Sequence, residues 1–164
     1  MNAMRILFVC TGNSCRSVMA QHLLQHRLKS LAHRLRGPVE VQSAGVVAID
    51  GMPASRETVR TLQHKGIDVS GHMAQRLTDQ MIRDASLILV MEQMHTDEIL
   101  QRVPEARGKL HLLKAFGVPN QARDENVNIP DPIGKPPEVY EGCLAAIEEA
   151  MERVIQSLVG PDNA

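Results

Sequence analysis

A chain of 164 residues is one domain in length, residues 1–164, and can bury a core without disulfides or a structural metal. Its 18 basic and 19 acidic residues leave no electrostatic footprint for nucleic acid or an anionic membrane, and with only Phe8, Phe116 and Tyr140 as aromatics it offers no base-stacking surface. The N-terminal apolar run, Ile6 to Cys10, is too short for a signal core or a membrane span, so three cysteines point to reduced thiols in the cytoplasm.

Arg5 to Val9 reads as a strand buried on both faces. Ala20, Leu23, Leu24, Leu28 and Leu31 then recur at helical spacing, which predicts an amphipathic helix from Arg16 to about Ala32, before Gly37-Pro38 breaks the chain. Val39 to Ser43 reads as a second strand, and Pro53 to about Lys65 as a helix opened by proline and closed by Gly66. A short helix from Thr78 to Asp84 precedes a third strand, Leu87 to Met91. Gln93 to Val103 is a further helix ended by Pro104, and Leu110 to Leu113 a short fourth strand. Gly117 to Pro137, rich in proline and polar residues, is a long loop of the kind that covers active sites. The stripe Cys143, Leu144, Ile147, Met151, Val154, Ile155 and Leu158 marks a C-terminal helix. Alternation of this kind predicts a three-layer, doubly wound α/β fold of four parallel strands with helices on both faces. Ligands in such folds sit beyond the carboxyl ends of the strands, which is where Cys10 falls.

The segment Cys10-Thr-Gly-Asn-Ser-Cys-Arg16-Ser17 carries the chemistry. A bare Cys-x5-Arg match arises by chance in roughly one chain in four of this composition; its weight comes from lying between a buried strand and a helix N-terminus. The backbone N–H groups of Thr11, Gly12, Asn13, Ser14, Cys15 and Ser17, with Gly12 allowing a tight turn, are placed to cradle a phosphate dianion at the positive end of the helix. Arg16 can clamp two phosphate oxygens with its planar fork, and the same field favours a nucleophilic thiolate at Cys10. Ser17 is placed to hydrogen-bond that sulfur and Asn13 to hold the loop. Cys-x4-Cys without a second cysteine pair makes a poor zinc site, so no metal is expected. Cys143 lies on the buried helix stripe and reads as a core thiol.

Attack on phosphorus calls for an acid on a loop above the phosphate. Asp131, in Ile129-Pro-Asp-Pro-Ile-Gly134, has a carboxylate held by flanking prolines; Asp124 is the rival.

With these residues in place, the chain resembles the low-molecular-weight protein tyrosine phosphatase family. The resemblance rests on CTGNSCRS after the first strand, Ser43-Ala-Gly45 after the second, Leu87 to Met91 as the third, and Asp131-Pro132 before the last helix. It implies Cys10 as nucleophile, Arg16 as phosphate clamp and Asp131 as proton donor, with phosphotyrosine hydrolysed through a phosphocysteine and no cofactor. It also implies that Asn13, Ser17, Ser43 and His72 hold the loop, that Cys15 can capture an oxidised Cys10 as a disulfide, and that the partner is a phosphorylated protein or peptide met by a monomer or weak dimer. The chain departs from the pattern at Val18, where the family usually has proline, and at Ile133-Gly134-Lys135, where phosphotyrosine enzymes usually carry tyrosines. Ser14 and Gly134 are similar to the bacterial branch that removes phosphate from arginine, which is the alternative activity. Arsenate reduction needs relay cysteines that residues 80–95 lack, and a non-hydrolytic phosphate carrier has no use for Asp131.

Overall fold

The computed structural model describes residues 2–122 and 125–161. Period-two alternation along its first strand decides the layering. In β1 (Met4–Cys10), Ile6, Phe8 and Cys10 pack into one core, whereas Leu7 and Val9 pack into another on the opposite face. The first core is completed by Leu24 of α1 (Arg16–Leu31), Leu62 of α2 (Arg56–Gln63), and Ile147 and Met151 of α5 (Pro137–Leu158). The second takes Ile82 of α3 (Asp79–Asp84) and Ile99 of α4 (Gln93–Arg102). Each such fully buried side chain contributes about 1.5–3 kcal/mol relative to exposure, which is how a chain so poor in aromatics sustains two core layers.

β1 pairs in parallel with β2 (Val39–Gly45) on one side and β3 (Leu87–Val90) on the other, and β3 pairs in parallel with β4 (Leu110–Leu112), giving the order β2-β1-β3-β4. The chain leaves β1 toward one edge and β3 toward the other. A cleft therefore opens beyond the carboxyl ends of these two central strands, with Cys10 opposite Gly45 in register.

Several boundaries differ from the sequence-based expectation: β1 is a residue longer at each end than Arg5 to Val9, β3 and α4 each stop one residue early, and three further differences have a visible cause. α2 begins at Arg56, three residues after Pro53, because Ser55 caps it: its Oγ accepts the Thr58 N–H at 3.2 Å, and a side-chain cap fixes a helix start more firmly than proline alone. β2 runs on to Gly45 because its pairing with β1 continues as far as Cys10. β4 stops at Leu112, where Leu113–Ala115 turns into a 3-10 helix. α1 starts at Arg16 despite Val18, which is fully buried. The long loop contains a 3-10 turn at Asn120–Ala122 and is tied down by the Ile129 N–H, which donates to Met91 O at 2.9 Å. Asp124 lies outside the described residues. Among those described, no helix is long and apolar enough to cross a membrane.

Candidate active site

The loop joining β1 to α1 turns on Asn13, not on Gly12. Asn13 has φ +52°, the left-handed region, which asparagine tolerates better than most side chains. Gly12 does not have a positive φ, and a Cβ on it would meet only Ser14 Oγ, at 3.6 Å. The glycine that this loop requires lies beneath it. A Cβ on Gly45 would stand 2.5 Å from Thr11 O and 2.7 Å from Asn13 N, both backbone atoms. Val46 and Val47 also donate their N–H groups to Cys10 O and Thr11 O, each at 3.0 Å.

Asn13 is fully buried and every polar atom of its side chain is used. Its Nδ2 donates to Ser17 Oγ at 2.8 Å and to Ser43 Oγ at 2.9 Å, and its Oδ1 accepts the Gln75 N–H at 3.0 Å. Its carbonyl accepts from His72 Nε2 at 3.0 Å. Ser43 in turn donates to Gln21. Since Ser17 Oγ accepts from Asn13, its own proton is free for Cys10 Sγ, 2.9 Å away. The Asn13 N–H adds a second donor to that sulfur, at 3.3 Å. His72 meets His22 edge-to-face, with ring centroids 5.6 Å apart. Burial lowers the basicity of both rings, and each lies below the ordinary histidine value; a neutral His72 suits its single bond to a carbonyl.

Arg16 is 1% exposed, so its charge must be compensated inside the protein. Nη1 donates to Glu92 Oε2 at 2.6 Å and to Ile129 O at 2.8 Å. Nη2 lies 3.4 Å from Thr11 Oγ1 and 3.6 Å from Asp131 Oδ2. Nε has no partner among the described residues. The side of the guanidinium formed by Nε and Nη2, which can grip a phosphate with two parallel bonds, is therefore the side left for a ligand. Asp131 is 39% exposed, and its Oδ1 accepts the Ile133 N–H at 3.1 Å, a local turn that fixes the carboxylate's direction.

Cys15 Sγ is buried beside Ser55 Oγ at 3.3 Å and Tyr140 Oη at 3.8 Å, and burial pushes the Tyr140 hydroxyl up to about 12. The Cys143 thiol is likewise pushed up to about 12 by burial, which suits a core filler. All three cysteines are free. Among the described residues, no cluster of three or more His, Cys, Asp or Glu side chains could hold a metal ion.

The family model described as low molecular weight phosphotyrosine protein phosphatase matches residues 5–161. The chain belongs to the low-molecular-weight protein tyrosine phosphatase family. Among similar curated proteins, a protein-arginine-phosphatase of Geobacillus stearothermophilus is 40% identical over 94% of this chain and 95% of its own. A probable low molecular weight protein-tyrosine-phosphatase, EpsP, of Ralstonia nicotianae is 39% identical over 91% and 87%. Among solved structures, a low molecular weight protein tyrosine phosphatase from T. tengcongensis superposes with a TM-score of 0.84 at 35% identity, covering 95% of this chain and all of that one.

Within this member of the phosphatase family, the residues expected from sequence converge at one mouth: Cys10, the Thr11–Cys15 turn, Arg16, Ser17 and Asp131, with Ser43 and His72 beneath. Glu92, His95, Gln75 and the Ile129 carbonyl were not anticipated. Glu92 and His95 had a signal to offer, because both follow directly on the carboxyl end of a central strand.

Proposed function

We propose that this chain is a cysteine-dependent protein phosphatase that hydrolyses phosphotyrosine through a phosphocysteine at Cys10. The observation that carries this reading is a buried sulfur at a helix N-terminus, faced by two donors, in one loop with a buried guanidinium whose Nη1 is committed to Glu92 and Ile129 while Nη2 makes only long contacts to Thr11 and Asp131. Asn13 N–H and Ser17 O–H supply the donors that a thiolate needs. Attack by Cys10 Sγ forms the S–P bond as the P–O bond to the tyrosyl oxygen breaks, and Asp131 gives its proton to that oxygen. Water then attacks phosphorus, Asp131 takes up a proton, and the thiolate and inorganic phosphate are released. Arg16 Nε and Nη2, with the loop amides, bind the equatorial oxygens most tightly in the transition state. A phosphorylated protein or peptide is the partner, and the expected monomer or weak dimer, the single-domain organisation and the cytoplasmic setting belong to this proposal.

A second reading, removal of phosphate from arginine, is favoured by one feature of the mouth. The residue after Asp131-Pro132 is Ile133, 52% exposed, so no aromatic wall stands there to stack on a phenol ring, and Ser14 adds a hydroxyl to the loop. The Geobacillus relative named protein-arginine-phosphatase supports the same reading.

Steady release of phosphate from p-nitrophenyl phosphate is expected over many turnovers; a single stoichiometric burst would sink the hydrolytic reading. Rates on matched phosphotyrosine and phosphoarginine peptides decide between the two substrates, and a tenfold or greater preference for phosphoarginine would replace the first reading by the second. Asp131→Asn is expected to slow phenyl phosphate about 10²- to 10³-fold but p-nitrophenyl phosphate much less, because a good leaving group needs little protonation. A leaving-group series checks this, and equal losses across the series would remove Asp131 from the role of acid.

A further inference from the structure

His95 is a buried polar side chain, fully enclosed, that the mechanism above does not use. Its two ring nitrogens are committed. Nδ1 accepts the backbone N–H of Glu92 at 3.0 Å, so in the neutral ring the proton resides on Nε2. Enclosure keeps the ring neutral, with its basicity lowered to about 4 by desolvation and then by the neighbouring Arg16 charge. Nε2 lies 2.9 Å from Thr11 Oγ1 and must donate to it. Thr11 Oγ1 thus accepts from His95, and also faces Arg16 Nη2 at 3.4 Å. Its own hydroxyl proton has no acceptor among the described residues, and donors occupy the directions of both neighbours. What remains is the mouth of the loop, on the side that Arg16 Nη2 and Asp131 face.

We infer that the Thr11 hydroxyl donates a hydrogen bond to an equatorial oxygen of the bound phosphoryl group, and that His95 is the positioning residue that forces it to do so. The inference rests on the phosphatase reading of this loop. A phosphoryl oxygen gripped by Arg16 Nη2 comes within reach of a hydroxyl 3.4 Å from that nitrogen. Threonine's stiff χ1 holds the oxygen there, and His95 removes the alternative in which the hydroxyl donates inward. The Glu92 amide, at the N-terminus of α4, sets the tautomer, so the corner between β3 and α4 is coupled to the phosphate cradle through two hydrogen bonds. A hydrogen bond to a charged group that is made best in the transition state counts toward catalysis as well as binding.

The test combines calorimetric binding of inorganic phosphate at neutral pH with kcat/KM on p-nitrophenyl phosphate. Thr11→Val is expected to lower both about tenfold, and Thr11→Ser, which restores the hydroxyl, to recover most of that loss. His95→Asn keeps an acceptor for the Glu92 amide but cannot reach Thr11, and it is expected to match Thr11→Val. His95→Gln, whose amide can reach Thr11, is expected to recover part of the loss. In the double variant Thr11→Val/His95→Asn the loss should equal that of Thr11→Val alone. Phosphate affinity within twofold of wild type in Thr11→Val, or losses that multiply in the double variant, would overturn the inference. So would a His95→Asn protein that melts lower yet binds phosphate as wild type does, since that marks a purely structural histidine. Thr11-dependent phosphate binding without turnover would uphold the inference and overturn the phosphatase reading; a wild-type protein that binds no phosphate overturns both.

Discussion

Cys10→Ser is expected to lower turnover of p-nitrophenyl phosphate by about 10⁴-fold or more while phosphate affinity stays within a few-fold of wild type. The split follows from what the sulfur does and does not do. In the proposed mechanism phosphate is held by loop amides and by Arg16, and the frame of that loop is set by Asn13, Ser43, His72 and Gly45, none of which bonds through the sulfur except the Asn13 amide at 3.3 Å. A serine hydroxyl can still take the Ser17 and Asn13 contacts. It cannot replace a thiolate as the attacking group, because among the described residues no base lies against this position: the only side-chain partner of Cys10 Sγ there is the Ser17 hydroxyl, itself committed to Asn13. Steady-state kinetics and calorimetry on the same preparation check both halves. Normal turnover in Cys10→Ser would remove the covalent mechanism, and lost phosphate affinity would show that the sulfur shapes the cradle.

The parts of this site legible from the residues themselves are local motifs, the Cys10–Ser17 loop and the Asp131 turn, whereas Ser43 and His72 came only with the family resemblance. Cys10, Arg16 and Ser17 are fixed by a strand end, a five-residue gap and a helix start, all readable from hydrophobic periodicity and loop chemistry. The parallel, doubly wound architecture was readable too, because alternating strands and helices leave few arrangements, whereas the order β2-β1-β3-β4 is visible only in the structure. What the sequence conceals is which distant atoms complete a local motif. Gly12 was the obvious hinge of the loop, yet the close approach that demands glycine is at Gly45, where β2 passes under Thr11 and Asn13; the sequence shows a glycine but not the backbone pressed against it. Glu92 is 76 residues from Arg16, and only the pairing of β3 beside β1 brings them together. The serine start of α2 was hidden for a simpler reason. Pro53 and Ser55 are both good opening residues, and the hydrogen bond that decides between them is visible only in the structure.

That non-local frame sets the size of the second large effect, expected for Arg16→Lys. One guanidinium here has three tasks in the proposed mechanism: Nη1 neutralises Glu92, the same nitrogen caps the Ile129 carbonyl two residues before Asp131, and Nε with Nη2 would grip the phosphate. An ammonium is a point charge with three donors on one atom. Buried at this position, it can stay with Glu92 and leave the phosphate, or follow the phosphate and leave a buried carboxylate and carbonyl less well satisfied. Loss of about 10³-fold in kcat is expected, since even one donor removed from developing transition-state charge costs about 10²–10³-fold. Phosphate affinity should fall along with kcat, which separates this variant from Cys10→Ser. A second signature follows from Ile129. With its carbonyl released, the segment carrying Asp131 is held less firmly, so sensitivity to the leaving group should rise toward that of Asp131→Asn. Kinetics of Arg16→Lys across a series of aryl phosphates measures both effects. If kcat falls with an unchanged leaving-group slope, Arg16 acts on the phosphoryl group alone and its bond to Ile129 is only structural; a loss under tenfold would mean that the cradle amides, not the guanidinium, carry the transition-state charge.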